Sequence, residues 1–505
     1  MWYTKTYKIQ EKQMILGLTG MYHKRDRDQT TIENFVPPFG GKLDAENRWV
    51  KMSKIVPWDL VEDIYAASFK YEKPDGRPPI SARIAFGSLY IKESENLPQE
   101  RTLQHISENV YMQYFLGLTE FTPTPLFDSS MMSRFAARFS KEDIEKINEE
   151  MYRRTHSSDD EPPTDNPNDG FMPPNGDNEN SGTMILDATV APADIRYPTD
   201  LSLLNECRED SEKIIDEVWN ETERKGHKTA YSRKKARKGY LKIAKQRKPR
   251  KKQMRQAIRE QLEYVEKNVD ALEKTLETIG LERFGIQNWA QLEIIHDIAK
   301  QQRQHYNHPG ESIPNRIVSV RQPHVRPIVR GKAGSEVEFG QKISFSIVDG
   351  YTFIEEQNWN NFAEGTTLQA SAEKFRKRHG VYPKAILADK TYRNRDNLNF
   401  CKEHGIRLSG PRLGRPKASE LEADKEQAYH DSCNRNMVEG RIGIDKRRYG
   451  LDLIYARLER TGEVEAAINV LCMNVAHLLR VLLRLMARWC NLAIIGIPRL
   501  RFENI

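Results

Sequence analysis

Apolar residues recur at helical spacing near both ends of the chain and gather into short strand-like runs between them. Residues 80–91 (ISARIAFGSLYI) follow Pro78-Pro79 and carry apolar side chains three and four apart, and residues 102–118 form a second such run. The pattern continues over 129–139 and 141–155. Residues 50–155 therefore predict an all-α domain behind an N-terminal extension, residues 1–49. Such a domain can present one helix to a DNA groove, and the periodicity fits a plain packing domain equally. Residues 156–182 combine acidic residues with Pro, Asn and Gly. They predict a disordered linker, because they offer too little apolar surface to fold.

Past the linker the period changes. Residues 183–190 (TMILDATV) read as an apolar strand carrying Asp187 at its end. The next segment, residues 201–319, is helical again. Residues 201–219 are amphipathic, and Met254, Ile258, Leu262, Val265, Val269, Leu272, Leu276 and Ile279 form a heptad seam. Gly280 permits a turn, after which residues 286–306 return as a second helix. A long helical hairpin with a basic arm is the simplest reading; a coiled coil with a second copy is the other, since a seam does not identify its partner.

Strand signals resume over 337–354, where Ile343, Phe345 and Ile347 alternate and Asp349-Gly350 marks a hairpin turn. A helix over 368–379, a strand over 385–389 ending in Asp389, a helix over 400–404 and a strand over 406–408 follow. Residues 410–417 (GPRLGRPK) form a basic loop, and helices are predicted over 435–446 and 463–491. Residues 183–200 plus 320–463 thus predict an α/β core with a mixed sheet. Residues 464–505 predict a helix packed on that core. Arg480, Arg484 and Arg488 recur along it at four-residue spacing, which argues for a buried amphipathic helix rather than a membrane span.

A chain of 505 residues has room for two to four domains. The mean hydropathy of -0.72 and 30% charged residues fit a surface-rich soluble protein. Residues 1–21 are polar and lack an apolar run before a cleavage site, so no secretory leader is expected, and Met14 or Met21 would serve equally as the start. Five scattered cysteines read as reduced thiols of a cytosolic protein. The net charge of +7 is local: residues 224–255 hold 16 Lys or Arg and no Asp or Glu, and without them 63 basic residues face 72 acidic ones. Arg233, Lys234, Lys235, Arg237 and Lys238 of this tract, with Arg412, Arg415 and Lys417 of the basic loop, are candidate DNA contacts. A merely solvated charge run is the plainer alternative.

The chemistry lies in three carboxylates. Asp187 and Asp389 sit on short apolar strands, and Glu439 falls in a predicted helix four residues after Arg435 and seven before Lys446. On a helix these three return to nearly one face. Three acidic groups on two strands and a helix can hold two divalent ions about 4 Å apart, the arrangement phosphodiester cleavage requires. Arg435 and Lys446 would hold phosphates, with salt bridges to Asp431 or Asp445 as the alternative. Trp359 reads as a core residue or a base-stacking one. His305 with His308 and Cys401 with His404 have zinc-like spacing but no second pair, and no phosphate-binding loop for ATP is present.

Together these segments resemble the DDE transposases of bacterial insertion sequences. Arg435, Glu439 and Lys446 match the Tyr-x2-Arg-x3-Glu-x6-Lys pattern of one large branch; Ser432 stands at the Tyr position, and Tyr429 lies about one turn earlier. The strands around Asp187 and around Asp389 (LADKTY) are similar to those of the same family. The resemblance implies an RNase H-like mixed-sheet core interrupted by the helical insertion. It implies Asp187, Asp389 and Glu439 as catalytic and metal-binding residues for two Mg²⁺ ions, with Mn²⁺ as a substitute. It implies cleavage at the element's terminal inverted repeats and strand transfer into target DNA by a homodimer on paired ends, in the bacterial cytoplasm at the nucleoid and with no membrane partner. A nuclease of the same fold without strand transfer, and a catalytically inactive DNA-binding relative, are the rival readings.

Overall fold

The computed structural model describes residues 31–69, 79–156, 179–221, 231–332, 335–410 and 421–496. Local capping sets the N-terminal helices. The Asn47 side chain accepts the Trp49 N–H and starts α1 (Arg48–Ile55); α2 (Trp58–Ala67) follows Pro57. Ser81 accepts the Ile84 N–H at 3.3 Å and starts α3 (Ala82–Ser94). The run predicted over 102–118 is two helices, α4 (Gln99–Glu108) and α5 (Val110–Phe115). Asn109 divides them: its backbone leaves the helical region, and its side chain caps the N–H groups of Tyr111 and Met112. α6 (Met131–Ala136) and α7 (Lys141–His156) complete the set. The boundary expected at residue 49 lies earlier. Phe35 and Leu43 are buried against Val50 and Tyr114, so part of the supposed extension belongs to the helical unit.

Four helices follow β1 (Thr183–Pro192): α8 (Asp200–Glu221), α9 (Arg233–Ala244), α10 (Lys251–Phe284) and α11 (Ile286–Asn307). They build their own core. Leu262, Val265, Val269 and Leu272 of the predicted seam are buried against Leu204 and Ile215 of α8 and Ile295 and Ile298 of α11. This overturns the reading of the seam as a coiled coil with a second copy, because its apolar groups are already covered within the chain. Gly280 has φ 75° and breaks the helical backbone where the turn was expected.

The sheet also contains β2 (Arg326–Lys332), β3 (Ser335–Val348), β4 (Tyr351–Asn358), β5 (Ala385–Leu387) and β6 (Arg407–Leu408). β1 pairs antiparallel with β3 on one side and parallel with β5 on the other, and β6 extends the parallel part. β2 and β4 both pair antiparallel with β3, on successive stretches. The β3–β4 turn has φ 50° at Asp349 and φ 77° at Gly350, the mirror-image turn that suits hairpin twist. Mixed pairing and flanking helices make this an α/β fold.

α12 (Leu368–His379), α13 (Arg395–Glu403), α14 (Leu421–Tyr449) and α15 (Glu459–Gly496) complete the chain. One hydrophobic core runs from Trp49, Phe86 and Phe115 through Met151 and Val475 to Leu186 and Ile386. The N-terminal helices therefore share a core with the sheet instead of forming a free-standing unit. Asn474 of α15 joins the layers. Its Nδ2 donates to Asn148 Oδ1 of α7 at 2.8 Å and to the Thr352 carbonyl of β4 at 2.7 Å, while its Oδ1 accepts the Thr352 N–H at 2.9 Å. Among the described residues one helical stretch, Glu459–Leu483, has the length and hydropathy to cross a membrane, and 61% of its apolar window is buried inside the protein.

Candidate active site

The parallel register between β1 and β5 organises the site. Ile185 pairs with Leu387, and these two bury with Ile347 beneath Val438 of α14. Side chains alternate along extended backbone, so Asp187 and Asp389, each two residues further on, emerge on that same face of neighbouring strands. Asp187 is not at a strand end, as the sequence suggested. β1 continues past it, paired with β3 through Phe345, and it is β5 that stops. Both aspartates thus mark the point where β5 leaves the sheet.

Local backbone fixes both carboxylates. Asp187 Oδ1 accepts the Ala188 N–H at 2.8 Å, and Asp389 Oδ1 accepts the Lys390 N–H at 2.6 Å, capping the turn Lys390–Tyr392. That turn buries Tyr392 completely. Burial, with smaller pushes from the Glu364 and then the Asp187 carboxylates, raises its phenol far above the ordinary range and keeps it neutral. Sequence reasoning passed over Tyr392 as a support for the site. The signal was available as a large aromatic one turn after a strand-end Asp.

α14 lies across this face. Asp431, Val438, Asp445 and Tyr449 are buried along one stripe, with Ile442 partly buried among them. Glu439 stands exposed on the flank of that stripe, one turn beyond Arg435. Arg435 Nη2 lies 3.8 Å from Asp389 Oδ1. Its partner is therefore the second aspartate and not Asp431, whose carboxylate is held by Arg407 at 2.7 and 2.9 Å. Burial pushes the Asp445 carboxyl up to about 8, and the adjacent Lys446 opposes that shift. Tyr429 is 68% exposed and points about 80° away from Glu439 around the helix, so it does not fill the place of Ser432. A Cβ added at Gly440 would meet no atom within 4 Å, so close approach of the sheet does not explain this glycine.

Oxygen-only donors on neighbouring strands suit a hard divalent cation. Among the described residues, however, no group of three His, Cys, Asp or Glu side chains lies close enough to hold one ion. The structure aligns the two aspartates and sets Glu439 on the helix packed beside them, with the Arg435 guanidinium next to Asp389.

The candidate DNA contacts fare unevenly. Lys234, Lys235, Arg237 and Lys238 are exposed on α9. Arg233 is committed to the insertion, donating to both oxygens of Asp216 at 2.6 and 3.0 Å. Arg412, Arg415 and Lys417 lie outside the described residues. Trp359 is a core residue, packed with Ala193, Val318 and Val325.

Two family models match the chain. One, described as Transposase DDE domain, covers residues 386–476 and so spans β5, Asp389, α14 and Glu439. The other, described as Transposase domain (DUF772), covers residues 38–138, the N-terminal helices. Both matches support a DDE transposase of the insertion-sequence type. No curated protein and no solved structure matches it. The DDE match begins at β5, past the helical insertion that follows β1.

Proposed function

We propose that this transposase cuts DNA at the terminal inverted repeats of an insertion sequence and joins the freed 3′ ends to target DNA, using Asp187, Asp389 and Glu439. The observation that carries this reading is the register Ile185–Leu387 beneath Val438, which sets two aspartates side by side under the helix that bears the glutamate. The strand order, with β1 central, antiparallel β3 and β4 on one side and parallel β5 and β6 on the other, supports an RNase H-like core. The spacing of Arg435, Glu439 and Lys446 supports membership in the Tyr-Arg-Glu-Lys branch, with Ser432 as its departure.

Asp187, Asp389 and Glu439 would hold two Mg²⁺ ions, with Mn²⁺ able to replace them. Bound there, such ions supply an activated water or 3′-hydroxyl and relieve charge on the leaving oxygen. The residues do the rest. Backbone N–H groups orient both aspartates, and Arg435 neutralises Asp389 until a cation takes its place. Arg435 and Lys446 then hold phosphates beside the scissile bond. The exposed lysines and arginines of α9 hold DNA by counterion release. Joining two ends calls for a homodimer in the bacterial cytoplasm, at the nucleoid. Since the seam of α10 is occupied, that dimer forms elsewhere.

The test is a metal-dependent assay on DNA carrying the element's ends. Joined products are expected from the wild type, and none from Asp389→Ala, which still binds ends. Nicked but never joined products restrict the activity to hydrolysis; normal cleavage by Asp389→Ala removes that residue from the site.

A further inference from the structure

A groove of about 490 Å³ runs between α1 and α3 on one side and α14 and α15 on the other. Arg48, Arg447, Arg448 and Arg480 line it, and Glu95 is its one carboxylate, held by Arg48 at 2.9 Å. Arg447 and Arg480 each donate Nε to a carbonyl of their own helix, at 3.0 and 3.1 Å. Among the described residues Arg447, Arg448 and Arg480 have no carboxylate within ion-pair distance. Several arginines elsewhere are paired: Arg154 with Asp59, Arg233 with Asp216, Arg303 with Glu266, Arg378 with Glu355 and Arg407 with Asp431. Uncompensated like charges on two helices, α14 and α15, repel one another, and a polyanion laid along them relieves that repulsion. Guanidinium forks suit phosphate oxygens, and the partly buried Ile444 and Leu479 of the groove offer apolar surface to sugars.

The groove does not continue the candidate active site. At 100° per residue, Ile444 and Arg448 project from the flank of α14 opposite Glu439 and Lys446, with the body of a helix about 10 Å across between them. We propose that this groove binds the phosphate backbone of a second DNA segment, distinct from the one presented to Asp187, Asp389 and Glu439. The word second rests on the reading of those carboxylates as the cutting site; the binding itself does not.

The test measures full-chain binding to a duplex lacking the terminal repeats, over a range of salt, with the number of duplexes per chain read by sedimentation. In Arg447→Gln/Arg448→Gln/Arg480→Gln the slope of log K against log salt is expected to fall by about 2.7, from about 0.9 per phosphate contact, and affinity near 0.1 M salt by up to about 500-fold. Stoichiometry should drop from two duplexes per chain to one, with an unchanged melting temperature. The same change to Lys, which keeps the charge, should restore binding. Wild-type slope and affinity in the Gln variant overturn the groove. One duplex per wild-type chain overturns the second segment. Lost affinity in the Gln variant alongside normal cleavage by Asp389→Ala leaves the groove standing and removes the catalytic reading.

Discussion

The two long helices α10 and α14 serve opposite ends. α10 buries Leu262, Val265, Val269 and Leu272 against α8 and α11, with Gln261, Asn268 and Thr275 buried on the same side. α14 buries a file that mixes Val438 with Asp431 and Asp445, and keeps Glu439 in the open. The polar groups on α10's inner side are neutral and partnered: Asn268 donates to Ser211 Oγ at 2.8 Å and Gln261 to the Ala236 carbonyl at 3.1 Å. α14 instead buries two carboxyls, Asp431 held by Arg407 and Asp445 pushed up by burial, and carries two glycines, Gly440 and Gly443. The comparison says where substitutions should destroy activity and where they should destroy stability.

The largest effect is expected on α14's side. Asp389→Ala or Glu439→Ala should lower metal-dependent cleavage by at least about a thousandfold, roughly 4 kcal/mol of transition-state stabilisation, while thermal melting stays put. A melting loss matching the activity loss would erase the contrast. On α10, Leu262→Ala should cost about 2–5 kcal/mol of stability, read by denaturant unfolding, with cleavage per folded molecule preserved. Loss of chemistry in the folded fraction would show that the insertion reaches into the active site.

Asp445 sharpens the comparison through pH. Burial raises its carboxyl from 3.8 to about 8 in the folded protein. A group raised on folding stabilises fully below its unfolded value, and that contribution is lost as pH climbs through the folded one. Between pH 4 and 8 it should remove up to about 1.4 kcal/mol per pH unit. Asp445→Asn should flatten this fall and melt higher than the wild type at pH 8; parallel pH profiles for the two would show that Asp445 is solvated. The smallest effect belongs to Gly440, which has space for a side chain. Gly440→Ala should stabilise α14 by about 1 kcal/mol. If DNA passes there, binding weakens in the same variant, so melting and affinity should be measured together.

The same contrast explains what the sequence disclosed. α10 announced itself because aliphatic residues recur along it at heptad spacing, and the β3–β4 turn because Asp349-Gly350 supplies two positive φ angles. Asp187, Asp389 and Glu439 were nameable from their settings, and the β1–β5 register that aligns the first two needed coordinates. α14 runs from residue 421, well before the predicted start, since polar residues on its buried side and Gly440 and Gly443 blur the helical period. β2 gave no signal: Arg326-Pro-Ile-Val-Arg lacks alternation, which an edge strand does not require. Tertiary pairing also lay beyond view, as with Arg435 choosing Asp389 over a closer carboxylate in sequence.

Gly340 of β3 faces Pro192, the last residue of β1, on one side and Arg326, the first of β2, on the other. A side chain there would collide with the Ala191 carbonyl oxygen, so the strands meet at their tightest where the insertion departs and returns. The two feet of the four-helix block α8–α11 thus flank one residue, and Ala193, Val318 and Val325 pack with Trp359 and Phe339 next to it. The block departs five residues past Asp187, at the end of β1 away from its pairing with β5, so a helical block of another length can be seated there without touching the Ile185–Leu387 register.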